Sequence, residues 1–92
     1  MNQNLYEKKI KIFKALANPV RLEIIDFLIE GERCVCEIVE QLDYEQPHIS
    51  KSLIKLKEAG IIKDRKDGLK VYYSLAVCCL GEFMACTNKM LD

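Results

Sequence analysis

The segment Gln46-Pro47-His48-Ile49-Ser50-Lys51-Ser52-Leu53-Ile54-Lys55-Leu56-Lys57-Glu58-Ala59-Gly60 decides how this chain is read. From residue 47 to 59, Ile49, Leu53, Leu56 and Ala59 recur with the helical period and make one apolar stripe. His48, Lys51, Ser52, Lys55 and Glu58 point the other way. Gly60 ends this helix in the C′ position. Downstream, Ile61-Ile62-Lys63-Asp64-Arg65 and Lys70-Val71-Tyr72-Tyr73-Ser74-Leu75 flank the polar tip Lys66-Asp67-Gly68-Leu69, which predicts two antiparallel strands with Asp-Gly at the turn. Upstream, the polar turn Asp43-Tyr44-Glu45 follows a short helix over 34–42 with Ile38 and Leu42 inward.

Residues 5–17 place Leu5, Ile12, Phe13, Leu16 and Ala17 on one side, which predicts a first helix. Asn18-Pro19 supplies a cap and a first helical proline for a second helix over 20–29, apolar on nearly every side and therefore central. Residues 78–91 read as a last helix with Leu80, Met84 and Leu91 in one stripe, Phe83 and Met90 beside it, and Gly81 weakening its first turn. Helix, helix, short helix, turn, polar-faced helix, hairpin, helix is the order of a winged helix-turn-helix. The expected fold is mainly α with a small antiparallel β-hairpin, in one domain over residues 1–92.

A chain of 92 residues buries only about 60 to 65% of its unfolded surface and gains from pairing with a second copy. The first and last helices, left over once a core is assembled, are the expected homodimer contact, and a two-fold axis there sets two recognition helices roughly 34 Å apart on one face of DNA. No apolar run approaches the length of a membrane span, and no signal-peptide pattern opens the chain, so a cytoplasmic protein without a membrane partner is expected. Five cysteines in a reducing compartment serve as ligands, sensors or small buried residues rather than a disulfide framework.

The net charge is zero but unevenly spread. Residues 1–20 hold four lysines and one glutamate, 21–45 two arginines and eight acids, and 46–70 seven basic residues and three acids. A basic segment beside an acidic one fits a protein with one nucleic-acid face, and equally a solvated, salt-bridged surface. On the DNA reading, Gln46, His48, Ser50 and Lys51 sit where amide, imidazole, hydroxyl and ammonium groups reach base edges, with Ser52 on the same polar face. Lys55, Arg65, Lys66 and Lys70 suit phosphate. One histidine, no recognisable nucleophile-base pair and no glycine-rich phosphate loop argue against an enzyme.

Three segments resemble the ArsR/SmtB family of metal-responsive repressors: Phe13-Lys14-Ala15-Leu16-Ala17-Asn18-Pro19-Val20-Arg21-Leu22, residues 46–56, and Glu58-Ala59-Gly60-Ile61-Ile62. A fourth, Glu32-Arg33-Cys34-Val35-Cys36-Glu37-Ile38, is similar to the family's metal-binding box, with Arg33 in place of the usual leucine. The resemblance implies a repressor that leaves operator DNA when its thiolates bind a soft ion: arsenite or antimonite first, then cadmium or lead. The arsenic-responsive branch has a third cysteine three positions after the second, and Val39 stands there. The site is then completed or replaced by Cys78, Cys79 and Cys86, within the chain or from a partner; some arsenic-responsive members use such a C-terminal adjacent pair plus one further cysteine. The zinc-sensing branch's Asp/His and His/Glu pairs are missing from the last helix, which disfavours zinc.

Geometry constrains both sets. In a regular helix Cys34 and Cys36 stand about 200° apart, so sharing an ion requires a distorted first turn. A helix N-terminus lowers thiol pKa and supplies thiolate, so an ion drawing the two together would unwind the helix leading into the recognition turn. Cys79 and Cys86 lie about 10.5 Å apart along an intact helix, too far to share an ion unless the segment is irregular, as Gly81 allows. The alternatives are a thiol redox-responsive repressor, in which cysteine pairs oxidise without an ion, and a DNA-binding protein with silent cysteines.

Overall fold

The computed structural model describes residues 2–91. Helix α1 (Gln3–Leu16) starts at Asn2, whose side chain accepts the N–H of Asn4 at 2.9 Å. Helix α2 (Pro19–Ile29) starts at Asn18, whose Oδ1 accepts the N–H of Arg21 at 3.3 Å while Pro19 occupies the first turn. A strand β1 (Arg33–Cys34) then leads directly into α3 (Val35–Gln41). Helix α4 (Gln46–Glu58), strands β2 (Ile62–Asp67) and β3 (Lys70–Leu75), and helix α5 (Leu80–Thr87) with a closing 3₁₀ turn (Asn88–Leu91) complete the order. Among the described residues, no helix is long and apolar enough to cross a membrane.

Helix α2 is central, as its all-round apolar composition predicts: Val20, Ile24, Ile25 and Leu28 are buried. They meet Ile38 of α3, Ile49, Leu53 and Leu56 of α4, and Ile61 and Ile62 at the entry to β2 in one continuous core. Each such side chain contributes about 1.5 to 3 kcal/mol when fully buried. Gly60, with φ +77°, takes the left-handed conformation that ends α4.

The sheet has three strands, not the two expected. Its order is β1-β3-β2, with Arg33 paired to Tyr73 and Cys34 to Tyr72 across an antiparallel junction. Two residues carry no alternation, so β1 leaves no periodic signal. In the hairpin Asp67 pairs with Lys70, which puts Gly68 (φ +64°) at the first central position of a two-residue loop, the arrangement of a type II′ turn.

The last helix is shorter than expected. Its α-helical part is Leu80–Thr87, and Thr87 Oγ1 donates to the carbonyl of Met84 at 2.6 Å, where the backbone tightens to 3₁₀. Helices α1 and α5 contribute little to the core. Only Ala15 and Leu16 of α1 are buried, and no residue of α5 is.

Truncating Ile24, which is fully buried, to alanine is expected to cost about 2 to 5 kcal/mol. Urea unfolding at one fixed protein concentration measures it, and a loss under 1 kcal/mol would contradict the central placement of α2.

Candidate nucleic-acid interface and thiol pair

Helix α4 presents its polar face as the stripe requires. At about 100° per residue, Lys51 and Ile54 lie outermost, opposite the buried Ile49, Leu53 and Leu56. Gln46 and Ser50 lie on one flank and His48 and Lys55 on the other. Gln46, His48, Lys51 and Lys55 are exposed, and Ser50 is half-buried. Ser52 departs from the expectation: it is buried, only 6% exposed, and sits beside Leu53 on the core side, so its hydroxyl does not face a groove. At 300° from Ile49 it falls inside the apolar arc, which small polar residues can share. Ile54 was not singled out in the sequence, yet it is the large apolar side chain on the outer face, 55% exposed.

The turn before α4 is pinned from two sides. The Tyr44 hydroxyl donates to Glu23 of α2, which pushes the phenol pKa up, and its ring meets His48 edge-on at 5.6 Å. Lys57 Nζ donates to Asp64 of β2 at 2.9 Å, tying the far end of α4 to the wing and raising the lysine pKa.

In the wing, Lys66 and Lys70 are exposed. Arg65 is committed within the chain. Its Nε and Nη2 donate to the two Glu32 oxygens at 2.8 and 2.7 Å, and its guanidinium stacks 4.7 Å from the Tyr72 ring centre. Arg65 therefore anchors the wing to the loop before β1, a task its place in a charged hairpin did not foretell.

Cys34 is not a helical residue, so the opposed orientation expected of a regular helix does not arise. It adopts extended geometry (φ −77°, ψ 159°) as the last residue of β1 and the N-cap of α3. Its Sγ accepts the N–H of Glu37 at 3.3 Å, and Glu37 Oε1 accepts the N–H of Cys34 at 3.0 Å, a capping box with sulfur in place of hydroxyl. The spacing Cys34-x-x-Glu37 was the available signal. Cys36, one residue into the first turn, swings back, and the two are joined as a disulfide with Cα atoms 5.3 Å apart. Cys34 is buried, whereas Cys36 is exposed. Arg33, the departure from the family box, stacks over Phe27 at 4.6 Å and pairs with Glu30 and Glu37.

The pair lines a cavity of about 490 Å³ whose other walls include Gln46 at the start of α4 and Leu69 and Lys70 at the wing tip. Cys78, Cys79 and Cys86 are free and exposed at the other end of the chain. Cys79 precedes an unbroken α5, and Gly81 lies inside it against Ile29, so the irregularity that would bring Cys79 to Cys86 is not seen. Among the described residues, no three or more Cys, His, Asp or Glu side chains converge as a metal site, so the chain by itself does not add a third sulfur to Cys34 and Cys36.

The Arg65 hydrogen bonds lower the Glu32 carboxyl pKa, with the Arg65 and Lys63 charges acting in the same direction against a smaller desolvation effect. With the folded value below the unfolded one, this tether is present above the ordinary glutamate pKa and is lost as pH falls through the lowered value. In a carbon-detected NMR titration Glu32 is expected to titrate below the usual glutamate range, and Arg65→Gln to return it there. An unchanged Glu32 midpoint in that variant would show that Arg65 is not its partner in solution.

Residues 18–64 match the family described as bacterial regulatory protein, arsR family. An arsenical resistance operon repressor of Staphylococcus xylosus is 36% identical over 87 residues, spanning 95% of this chain and 80% of that protein. A probable mercury resistance operon repressor of Streptomyces lividans is 40% identical over 65 residues, 71% of this chain and 52% of that protein. The solution structure of a homodimeric winged helix-turn-helix DNA-binding domain from Mycobacterium bovis, a possible ArsR-family transcriptional regulator, superposes with a TM-score of 0.86 at 31% identity, covering 97% of this chain and 82% of that one. With its helix order, polar-faced α4 and wing, this chain belongs to the arsR family and is a DNA-binding transcriptional regulator rather than an enzyme.

Proposed function

We propose that the protein is a homodimeric repressor, paired through α1 and α5, that releases its operator when a thiophilic ion engages Cys34 and Cys36. Arsenite or antimonite is the first choice of ion, cadmium or lead the second. The observation that carries the reading is the cavity in which the two sulfurs share walls with Gln46 and Lys70, one residue from each element assigned to DNA. Once the disulfide is reduced, two adjacent thiolates with no histidine beside them fit a soft ion, and two similar proteins are named for arsenical and mercury resistance. With Gln46, His48, Ser50 and Lys51 as base-reading candidates, Ile54 adds an apolar contact suited to a thymine methyl. Lys55, Lys66 and Lys70 supply phosphate contacts. A third sulfur, where the ion requires one, comes from Cys78, Cys79 or Cys86 of the partner subunit.

Cys34 is the point of transmission. In the disulfide the Cys34 sulfur still accepts the Glu37 N–H; an ion that draws the reduced thiolate away from that N–H removes its acceptor, and a lost cap costs a helix about 1 kcal/mol. The same residue pairs with Tyr72 in β3, whose ring carries Arg65, so a displaced Cys34 disturbs the wing as well as α3. A coupling of about 1 to 3 kcal/mol, or 5- to 150-fold in affinity, is the ordinary range for such linkage. Arsenite is accordingly expected to weaken operator binding of the reduced protein about 5- to 150-fold by fluorescence anisotropy. The variant Cys34→Ser, Cys36→Ser keeps DNA binding, because serine caps a helix well, and loses the response. A full arsenite response in that variant would remove the site from these residues.

The Cys34–Cys36 pairing favours a second reading. A peroxide takes two electrons from the two thiols, the thiol protons leave with its oxygens as water, and the S–S bond forms without any ion. Release by peroxide together with indifference to arsenite, cadmium and lead would select this reading.

The dimer contact is supported by the apolar surface left on α1 and α5: Leu5, Ile12, Phe13 and Phe83 are all exposed, with Phe13 and Phe83 in edge contact at 6.5 Å. Phe13→Asp leaves the core intact and is expected to sediment as a monomer with weakened operator binding. A stable dimer of that variant would place the interface elsewhere.

A further inference from the structure

A charged surface lies outside both the recognition helix tip and the wing. Lys11 and Lys14 of α1, Arg21 of α2 and Lys55 of α4 surround one open cavity of about 540 Å³, with Glu58 as the single acid. Among the described residues, no carboxylate stands within ion-pairing distance of any of these four cations. The chain as a whole carries no net charge, so the patch is not the by-product of a basic protein. Acids are instead collected around a different cavity, where Glu23, Asp26, Glu30, Glu37 and Glu40 surround Arg33. Of the four cations only Lys55 was assigned a role from sequence, since Lys11, Lys14 and Arg21 belong to helices read as dimer contact and core.

The position of the patch is set by α4. Lys57 points to the wing, where it meets Asp64, and Lys55, 200° away around the helix, points to the opposite side, toward α1 and α2. DNA seated on Lys51 and Ile54 therefore has the wing along one edge of the helix and these cations along the other. We propose that Lys11, Lys14 and Arg21, together with Lys55, form a second phosphate-binding surface that grips the DNA backbone on the side of α4 away from the wing. With α1 at the dimer contact, the gripped phosphates lie between the two half-sites. The inference rests on operator binding through α4, and it adds affinity without sequence preference, because phosphate contacts position a protein and do not read bases.

The test is operator and non-operator duplex binding by the full chain across about 50 to 200 mM salt, the range over which counterion release is steep. Lys11 and Lys14 are exposed, so K11Q/K14Q has no core to disturb, and matching circular dichroism melts verify this. The double variant is expected to bind both duplexes more weakly by the same factor. Its log affinity against log salt should be shallower by about 0.9 per lost contact, roughly 3 to 4 for two protomers. Adding R21Q extends the loss. A K11Q/K14Q protein with wild-type slope overturns the inference even if wild-type protein binds its operator normally. A loss confined to operator DNA with unchanged slope does the same. Inorganic phosphate bound by wild type and not by the variant, with the DNA slope unaltered, assigns the surface to a free anion and also overturns it. Wild-type protein that binds neither duplex overturns operator binding itself, and this inference with it.

Discussion

Everything that faces DNA in this molecule is held by one aliphatic layer. Ile24 and Ile25 of α2 meet Ile38, Ile49, Leu53 and Leu56 with essentially no exposed surface, and Ile61 and Ile62 carry the same layer into the wing. Close-packed interiors transmit displacement because they have little room to absorb it. A shift of α3 at Ile38 is therefore felt by α4 at the neighbouring side chains. The layer also explains why α4 can be almost wholly polar outside: its stability comes from one narrow inner stripe, and the outer positions are left free for function.

Against that rigid layer, Cys34 occupies a junction. It ends β1, caps α3, and holds its sulfur against that of Cys36. A sulfur is a weaker hydrogen-bond acceptor than a hydroxyl oxygen; what it offers in exchange is thiophilic and redox chemistry at the same atom that completes the helix. The position thus joins a structural role of modest energy to a chemical event of larger energy, which is the condition for ligand-driven change at a helix terminus. The Glu32–Arg65 pair and the Tyr72 ring continue the connection into the wing, so in the proposed mechanism thiol chemistry would have two outlets to DNA rather than the one offered by α3.

The distribution of charge serves the same division. Acids gather on the surface of α2 and α3 around Arg33, cations on α4, the wing and the flank formed by α1 and the start of α2. Such segregation raises the local field toward a polyanion without raising net charge. Helices α1 and α5, with almost nothing buried, gain their packing from a second copy in the proposed dimer, which would also double the cationic flank.

By itself the sequence determined the order of the helices and the hairpin, the inner stripe of α4, the central place of α2 and the Asn18-Pro19 start, because these depend on periodicity and local capping that any window of residues displays. The family-like box also pointed to Cys34 and Cys36. Tertiary structure alone decided that these two sulfurs meet, since Cys34 is held extended in β1, a two-residue strand that forms by pairing with β3 about forty residues along the chain. It also turned Ser52 inward, where helical period leaves a borderline residue to be settled by packing, and it assigned Arg65 to Glu32 across the sheet. The gathering of Lys11, Lys14, Arg21 and Lys55 is of the same kind. Side chains from three helices acquire a common field only once the core has fixed the helices side by side, and no linear spacing records that.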